Sequence, residues 1–216
     1  MKFKHGKNLC LKDKKSAFID KTVVIGENVT IYENCRIEGD TVIGDNVIIY
    51  PNCHIINSKI GNGTTVESTH MTDAVVGDKC SVGPFARLRP KAVIGNEAKI
   101  GNFVEVKNAN IGNRSKVSHL AYVGDADVGE DCNIGCGVIF VNYNGKSKSR
   151  TVIGDNCFIG SNCNVIAPVN VATNSYVCAG TTLTQDVKSD SFVIGRVRQE
   201  VKENRAHEYL KFMKGE

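Results

Sequence analysis

An aliphatic residue returns every six positions along most of this chain, and that period constrains the architecture more than any other feature. Ile25, Ile31, Ile37, Ile43, Ile49 and Ile55 open the series. After a slip to Ile60 and Val66 it resumes at Val76, Val82, Leu88, Ile94, Ile100 and Val106. Shortened steps of five lead to Ile111, Val117 and Val123, then to Val128, Ile134 and Phe140. The last run is Ile153, Ile159, Val165, Val171, Val177 and Leu183. Six residues with one inward aliphatic group make a short strand and a turn. Three such units close one triangular coil, and stacked coils bury a continuous aliphatic column. Glycine follows the marker in many units, as at Gly44, Gly77, Gly95 and Gly154, where the corner is tight.

Four residues after the marker the side chain is usually small. Cys35, Cys53, Cys80, Cys132, Cys157 and Cys163 all fall in that slot, which reads them as small apolar fillers of the stack. The nine cysteines include no CxxC pair, and the five histidines are scattered, so no metal site is expected. No secretory segment is recognisable, which points to a cytoplasmic protein with free thiols. No run of about 18 apolar residues exists to span a membrane. The net charge of +4 includes no dense basic tract, so nucleic acid is excluded as a partner and small anions are favoured.

Two stretches break the period. Residues 141–152 carry an Asn-Gly turn signal with Lys146, Lys148 and Arg150, and read as a loop ejected from the coil. From about Val201 to Met213, the residues Ala206, Tyr209, Leu210 and Met213 recur at helical spacing, predicting a short amphipathic helix that closes the solenoid. Residues 1–20 have no clear register and are expected to form an arm or cap. The division is therefore 1–20, a β-helix over 21–198, and a helical tail over 199–216.

A repeat scaffold carries no function by itself, so function is sought in residues that depart from the repeat. These are Gly83-Pro-Phe-Ala-Arg-Leu-Arg-Pro90, Gly101-Asn-Phe-Val-Glu-Val-Lys107, Ser118-His-Leu-Ala-Tyr122, Gly124-Asp-Ala126, Asn133-Ile-Gly-Cys-Gly137 and Asn142-Tyr-Asn-Gly145. In that order they closely resemble the acetyltransferase domain of the N-acetylglucosamine-1-phosphate uridyltransferase family, from about Gly83 to Arg198, with a weaker match back to Val23. The resemblance implies an all-β fold, a left-handed parallel β-helix of hexapeptide repeats with a short C-terminal helix. It further implies acetyl transfer from acetyl-CoA to the amine of glucosamine-1-phosphate, and a homotrimer with its active site between subunits. Nothing like the family's glycine-rich nucleotide-binding segment occurs, so no uridyltransferase activity is expected.

By the same resemblance His119 is the catalytic base, a role that suits an imidazole facing a substrate ammonium. Arg89, Lys107, Tyr122, Asn133 and Lys148 are implied to hold the sugar phosphate. Cys136, Asn142, Tyr143, Ser161, Ala179 and Arg196 fall at the acetyl-CoA positions. The family has glycine where Lys91 stands, alanine where Cys136 stands, and cysteine and aspartate where Val141 and Asn144 stand. The competing readings are a β-helix acyltransferase acting on another amino sugar, a non-catalytic β-helix scaffold, and a zinc carbonic anhydrase, the last lacking clustered histidines.

Overall fold

In a computed structural model, residues 3–210 are described, and they form a three-sided parallel β-solenoid. Strands of two to four residues stack into three parallel sheets, of 10, 11 and 10 strands, each strand pairing with its counterpart one coil on. We call the sheets A, B and C in the order the chain visits them within a coil. The inward markers lie in register: Ile60, Val76 and Ile94 in sheet A, Ile100, Val117 and Ile134 in B, and Leu88, Val106 and Val123 in C. All are buried, together with the six small-slot cysteines. All nine cysteines are free thiols.

The apparent slip after Val66 is no gap, because Met71 fills the same inward position between Ile55 and Leu88 and is fully buried. Methionine is a thioether and so is not counted among the aliphatic markers, yet its flexible side chain fills the same core position. The residues that turn each corner adopt left-handed backbone at Asn28, Asn46, Asn52 and many equivalents, which is why asparagine recurs there.

Two terminal expectations need correction. Residues 1–20 were expected to lack register, yet Lys4–His5, Cys10–Leu11 and Phe18–Ile19 pair with the strands of the next coil through Lys4↔Val24, Cys10↔Thr30 and Phe18↔Arg36. Terminal strands are covered on one side only, so their sequence carries fewer aliphatic markers. At the other end the described residues include the helix Ala206–Leu210, none of whose residues is buried. Among the described residues the expected closure of the solenoid is not seen, since Tyr209 and Leu210 are exposed; Met213 lies outside the described residues. The ejected loop is slightly shorter than expected, since Val141 and Thr151–Val152 belong to strands. Among the described residues no helix is long and apolar enough to cross a membrane.

Candidate active site

The site grows from one corner of the triangle. Asn102 and His119 occupy the end of neighbouring strands in sheet B and are paired in register. Asn102 Oδ1 lies 2.7 Å from His119 Nδ1, and with Nδ1 donating to it, Nε2 is left as the free basic nitrogen. Sequence reading missed Asn102. Its signal is positional: it stands two residues after Ile100, as His119 stands two after Val117.

The same corner position in later coils holds Cys136, Ser161 and Ala179. The chain of backbone bonds confirms the order: Gly137 N donates to Leu120 O, Asn162 N to Cys136 O, and Gly180 N to Ser161 O. Arg196 caps the column by donating from Nη1 to Ala179 O at 2.9 Å. One straight column thus runs from Asn102 through His119 and Cys136 to Ser161, Ala179 and Arg196. At the corner between sheets A and B, backbone N–H groups in the matching position are taken by carboxylate or amide oxygens of the next coil, as at Glu27–Asp45, Asn62–Asp78 and Glu130–Asp155. Among the described residues, the N–H groups of Cys136, Ser161 and Ala179 have no such partner. The side chains there are small, so three donors face outward along an open track. Gly135 and Gly160 permit that geometry, since a Cβ on either would come within 2.6 Å of the Ser161 or Ala179 nitrogen.

Sheet C carries the cations. Arg89 donates to Glu105 at 2.8 Å, and Lys107 Nζ is 3.6 Å from Asp125 Oδ2. Lys148 reaches back from the loop to Lys107. The closeness of the Lys107 ammonium pulls Lys148 below the ordinary lysine range, with burial and Arg89 adding in the same direction. Three cations gathered against two carboxylates, Glu105 and Asp125, leave an anion-seeking patch. Tyr122 lies between it and His119 along the chain, its ring packed so closely over Gly124 that a Cβ there would meet the phenol oxygen at 2.3 Å.

Asp125 is the buried hub of this patch and was not singled out from sequence. Burial pushes its carboxyl up, but hydrogen bonds from Asn108 and Asn142 and the nearby lysines outweigh that and hold it below the usual range. Asp127 is likewise lowered, by Arg150, whose guanidinium also bonds the Asn108 and Ala126 carbonyls and fixes the return of the loop. Depressed carboxylates stabilise the fold fully above their unfolded value of about 3.9 and lose that effect as pH falls through the lowered values. Thermal melts between about pH 6 and pH 3 should therefore show a steeper acid loss in the wild type than in Asp127→Asn. Identical slopes would remove this role from the Arg150 clasp.

Not every expected residue joins its group. Asn142 and Tyr143, expected beside acetyl-CoA, lie past sheet C at the opposite corner. There Asn142 bonds Asp125 and the Tyr122 hydroxyl, and Tyr143 bonds the Gly145 carbonyl. Asn133, expected with the sugar phosphate, is exposed on the outer face of sheet B opposite Lys116. Lys91, standing where the family's motif has glycine, holds φ 66°, the backbone region in which glycine is unstrained.

Beside His119 the corner carries Phe85, Phe103 and Leu120, all in left-handed backbone and 59%, 56% and 56% exposed. The two phenyl rings stack at 5.4 Å. Bulky side chains are unfavourable in that conformation, and most comparable corners use asparagine or aspartate instead.

Comparison with known proteins finds relatives of the chain. Residues 18–92 match the model of the GMPPB C-terminal domain, and residues 150–185 that of the hexapeptide repeat of succinyl-transferase. The bifunctional protein GlmU of Clostridioides difficile is 49% identical over 88% of this chain and 42% of its own length. That of Alkaliphilus oremlandii is 50% identical over 93% of this chain and 44% of its own length. The chain thus spans less than half the length of these curated relatives. Among solved structures, the Arabidopsis UDP-N-acetylglucosamine acyltransferase shares the fold at a TM-score of 0.58 and 22% identity, covering 84% of this chain and 70% of that one. LpxA of Bacteroides fragilis does so at 0.55 and 23%, covering 83% and 70%.

Proposed function

This chain corresponds to the C-terminal acetyltransferase part of the GlmU family, and from that premise we propose that it transfers an acetyl group from acetyl-CoA to the amine of glucosamine-1-phosphate, for UDP-N-acetylglucosamine synthesis. One observation carries the reading. His119 stands at the corner that carries the open donor track of Cys136, Ser161 and Ala179, and sheet C presents the cation patch of Arg89, Lys107 and Lys148 at its other end. The cations suit a sugar phosphate, and the outward N–H groups suit the amide carbonyls of a pantetheine arm.

In this reaction His119 Nε2 takes the proton from the substrate ammonium, and Asn102 keeps that nitrogen turned outward. The freed amine attacks the thioester carbonyl carbon. The N–H of Cys136, one coil from His119, is the donor placed for the developing oxyanion. The carbon–sulfur bond then breaks, the thiolate leaves as the CoA thiol with the proton returned from His119, and the second proton of the attacking nitrogen passes to solvent, so that one proton is released per amide formed. Tyr122 and Asn133 complete the acceptor pocket in this proposal, and Asn142, Tyr143 and Arg196 the donor site. Nine free thiols favour the cytoplasm as its place of action.

Because Asn142 and Tyr143 lie at a different corner from the donor track, a site using both sets is completed by a second copy. The strained apolar ridge of Phe85, Phe103 and Leu120 offers that copy a surface next to His119. We propose a trimer, which light scattering reads as three times the 23.4 kDa chain; a fully active monomer would overturn it.

The decisive experiment is product mass spectrometry with acetyl-CoA and glucosamine-1-phosphate, beside glucosamine and glucosamine-6-phosphate. N-acetylglucosamine-1-phosphate as the preferred product supports the proposal; equal acetylation of all three sugars refutes the assigned acceptor. Arg89→Ala and Lys107→Ala should each raise KM for the sugar phosphate by about 10- to 100-fold, the range of a charge-assisted hydrogen bond. Neither should alter the much weaker use of glucosamine, and a loss that is the same for both sugars would detach these cations from the phosphate.

A further inference from the structure

Sheet B carries an aromatic row that the reaction leaves unused. Phe158, Tyr176 and Phe192 occupy the same outward position in successive coils, paired as Phe158↔Tyr176 and Tyr176↔Phe192. Their rings stack at 4.6 Å and 9°, then at 5.4 Å and 18°. The row follows directly on Asn133, which pairs with Phe158. Its exposure rises along the rod to 67% at Phe192, whose strand is the last of sheet B among the described residues.

Its position gives the row a meaning. Tyr176 stands three residues before Ala179, and Phe158 three before Ser161, so the rings run alongside the donor track on the same coils. From His119 to the strand Phe192–Val193 is four inter-strand steps in sheet B, or about 19 Å at a spacing of ~4.8 Å. An extended pantetheine arm has the reach of between four and five residues, about 15 Å. An acetyl group at His119 therefore brings the pyrophosphate to the last coils, where Arg196 is held on the Ala179 carbonyl. The nucleotide beyond it arrives at the far end of the aromatic row.

We propose that Tyr176 and Phe192 form a stacking platform for the adenine of the acyl donor, making the nucleotide half of CoA a determinant of donor choice. The proposal rests on the acetyl-CoA assignment above. Aromatic rings bind a purine face without needing a hydrogen-bonding pattern, which suits a group that anchors the donor far from the chemistry.

Both rings are surface residues, so their truncation leaves the aliphatic column intact. The test compares acetyl-CoA with acetyl-pantetheine, which lacks the nucleotide. In Phe192→Ala and Tyr176→Ala the ratio of kcat/KM for the two donors should fall about tenfold, a typical loss for one base–aromatic stack. Phe192→Tyr should restore it. A general folding defect lowers both donors together and leaves the ratio alone, and that result overturns the proposal.

A binding experiment separates this inference from the function assigned above. The chain contains no tryptophan, so Phe192→Trp installs a single reporter. CoA should quench its emission and pantetheine should not. Quenching by CoA in a protein that acetylates no amino sugar keeps the platform and removes the acceptor assignment. Acetyl transfer with no difference between CoA and pantetheine removes the platform and keeps the reaction. Light scattering guards the remaining alternative: dissociation of the assembly by Phe192→Ala, with the donor ratio unchanged, assigns the rings to contacts between copies.

Discussion

His119→Ala should lower acetyl transfer by about 10²- to 10⁴-fold, the range contributed by a positioned general base, while the melting temperature stays within error of the wild type. The two halves of that expectation come from different features. The imidazole is exposed at a corner and supports no part of the aliphatic column, so its loss leaves packing untouched. Its one side-chain partner, Asn102, is half-buried and remains able to bond water. Transfer, by contrast, depends on removing a proton from an ammonium that cannot attack while charged. Rate assays on purified protein, with a parallel thermal melt, read both quantities. Activity within a few-fold of wild type would take the base role away from His119. Partial recovery with added imidazole would strengthen it, because the exposed corner admits a free ring.

Phe140→Ala should be the most damaging single truncation in the core, at about 3–5 kcal/mol. Phe140 is the largest of the fully buried side chains. It sits in sheet C, in the strand Ile139–Val141 that pairs both Tyr122 below and Asn164–Ile166 above. The column is one side chain wide at each level of each sheet, so neighbours cannot close the cavity without shifting a coil. The same strand leads into the ejected loop, two residues before Asn142. The variant should therefore lose sugar-phosphate affinity before it unfolds. Urea titration measures the stability change, and Ile153→Val, expected at about 0.5–1.5 kcal/mol, calibrates the scale. A loss below about 1 kcal/mol for Phe140→Ala would show that the column repacks and that its width is not the constraint argued here.

The sequence by itself determined the solenoid. One inward side chain per six residues is a local rule, obeyed strand by strand, and every aliphatic marker from Ile25 to Leu183 is buried as the period requires. The cysteines followed from the same rule, because their slot was set by distance from the marker. The site residues were legible through the ordered motifs that carry them, yet their grouping was not. Cys136 and Ser161 become neighbours only because the loop between them is thrown out of the coil, whereas Asn142 reaches the far corner two residues after Phe140, in line with Asn108 and Asp125. Asn102 and Asp125 lie inside the motif strings, but no role could be read for either, because their importance lies in what stands one coil away. The tail helix was legible as a helix but not as a closure, since spacing along a chain shows which residues share a face and not what covers them. Tertiary structure decided these points because contact between coils depends on the length of every intervening turn, a sum that no single motif contains.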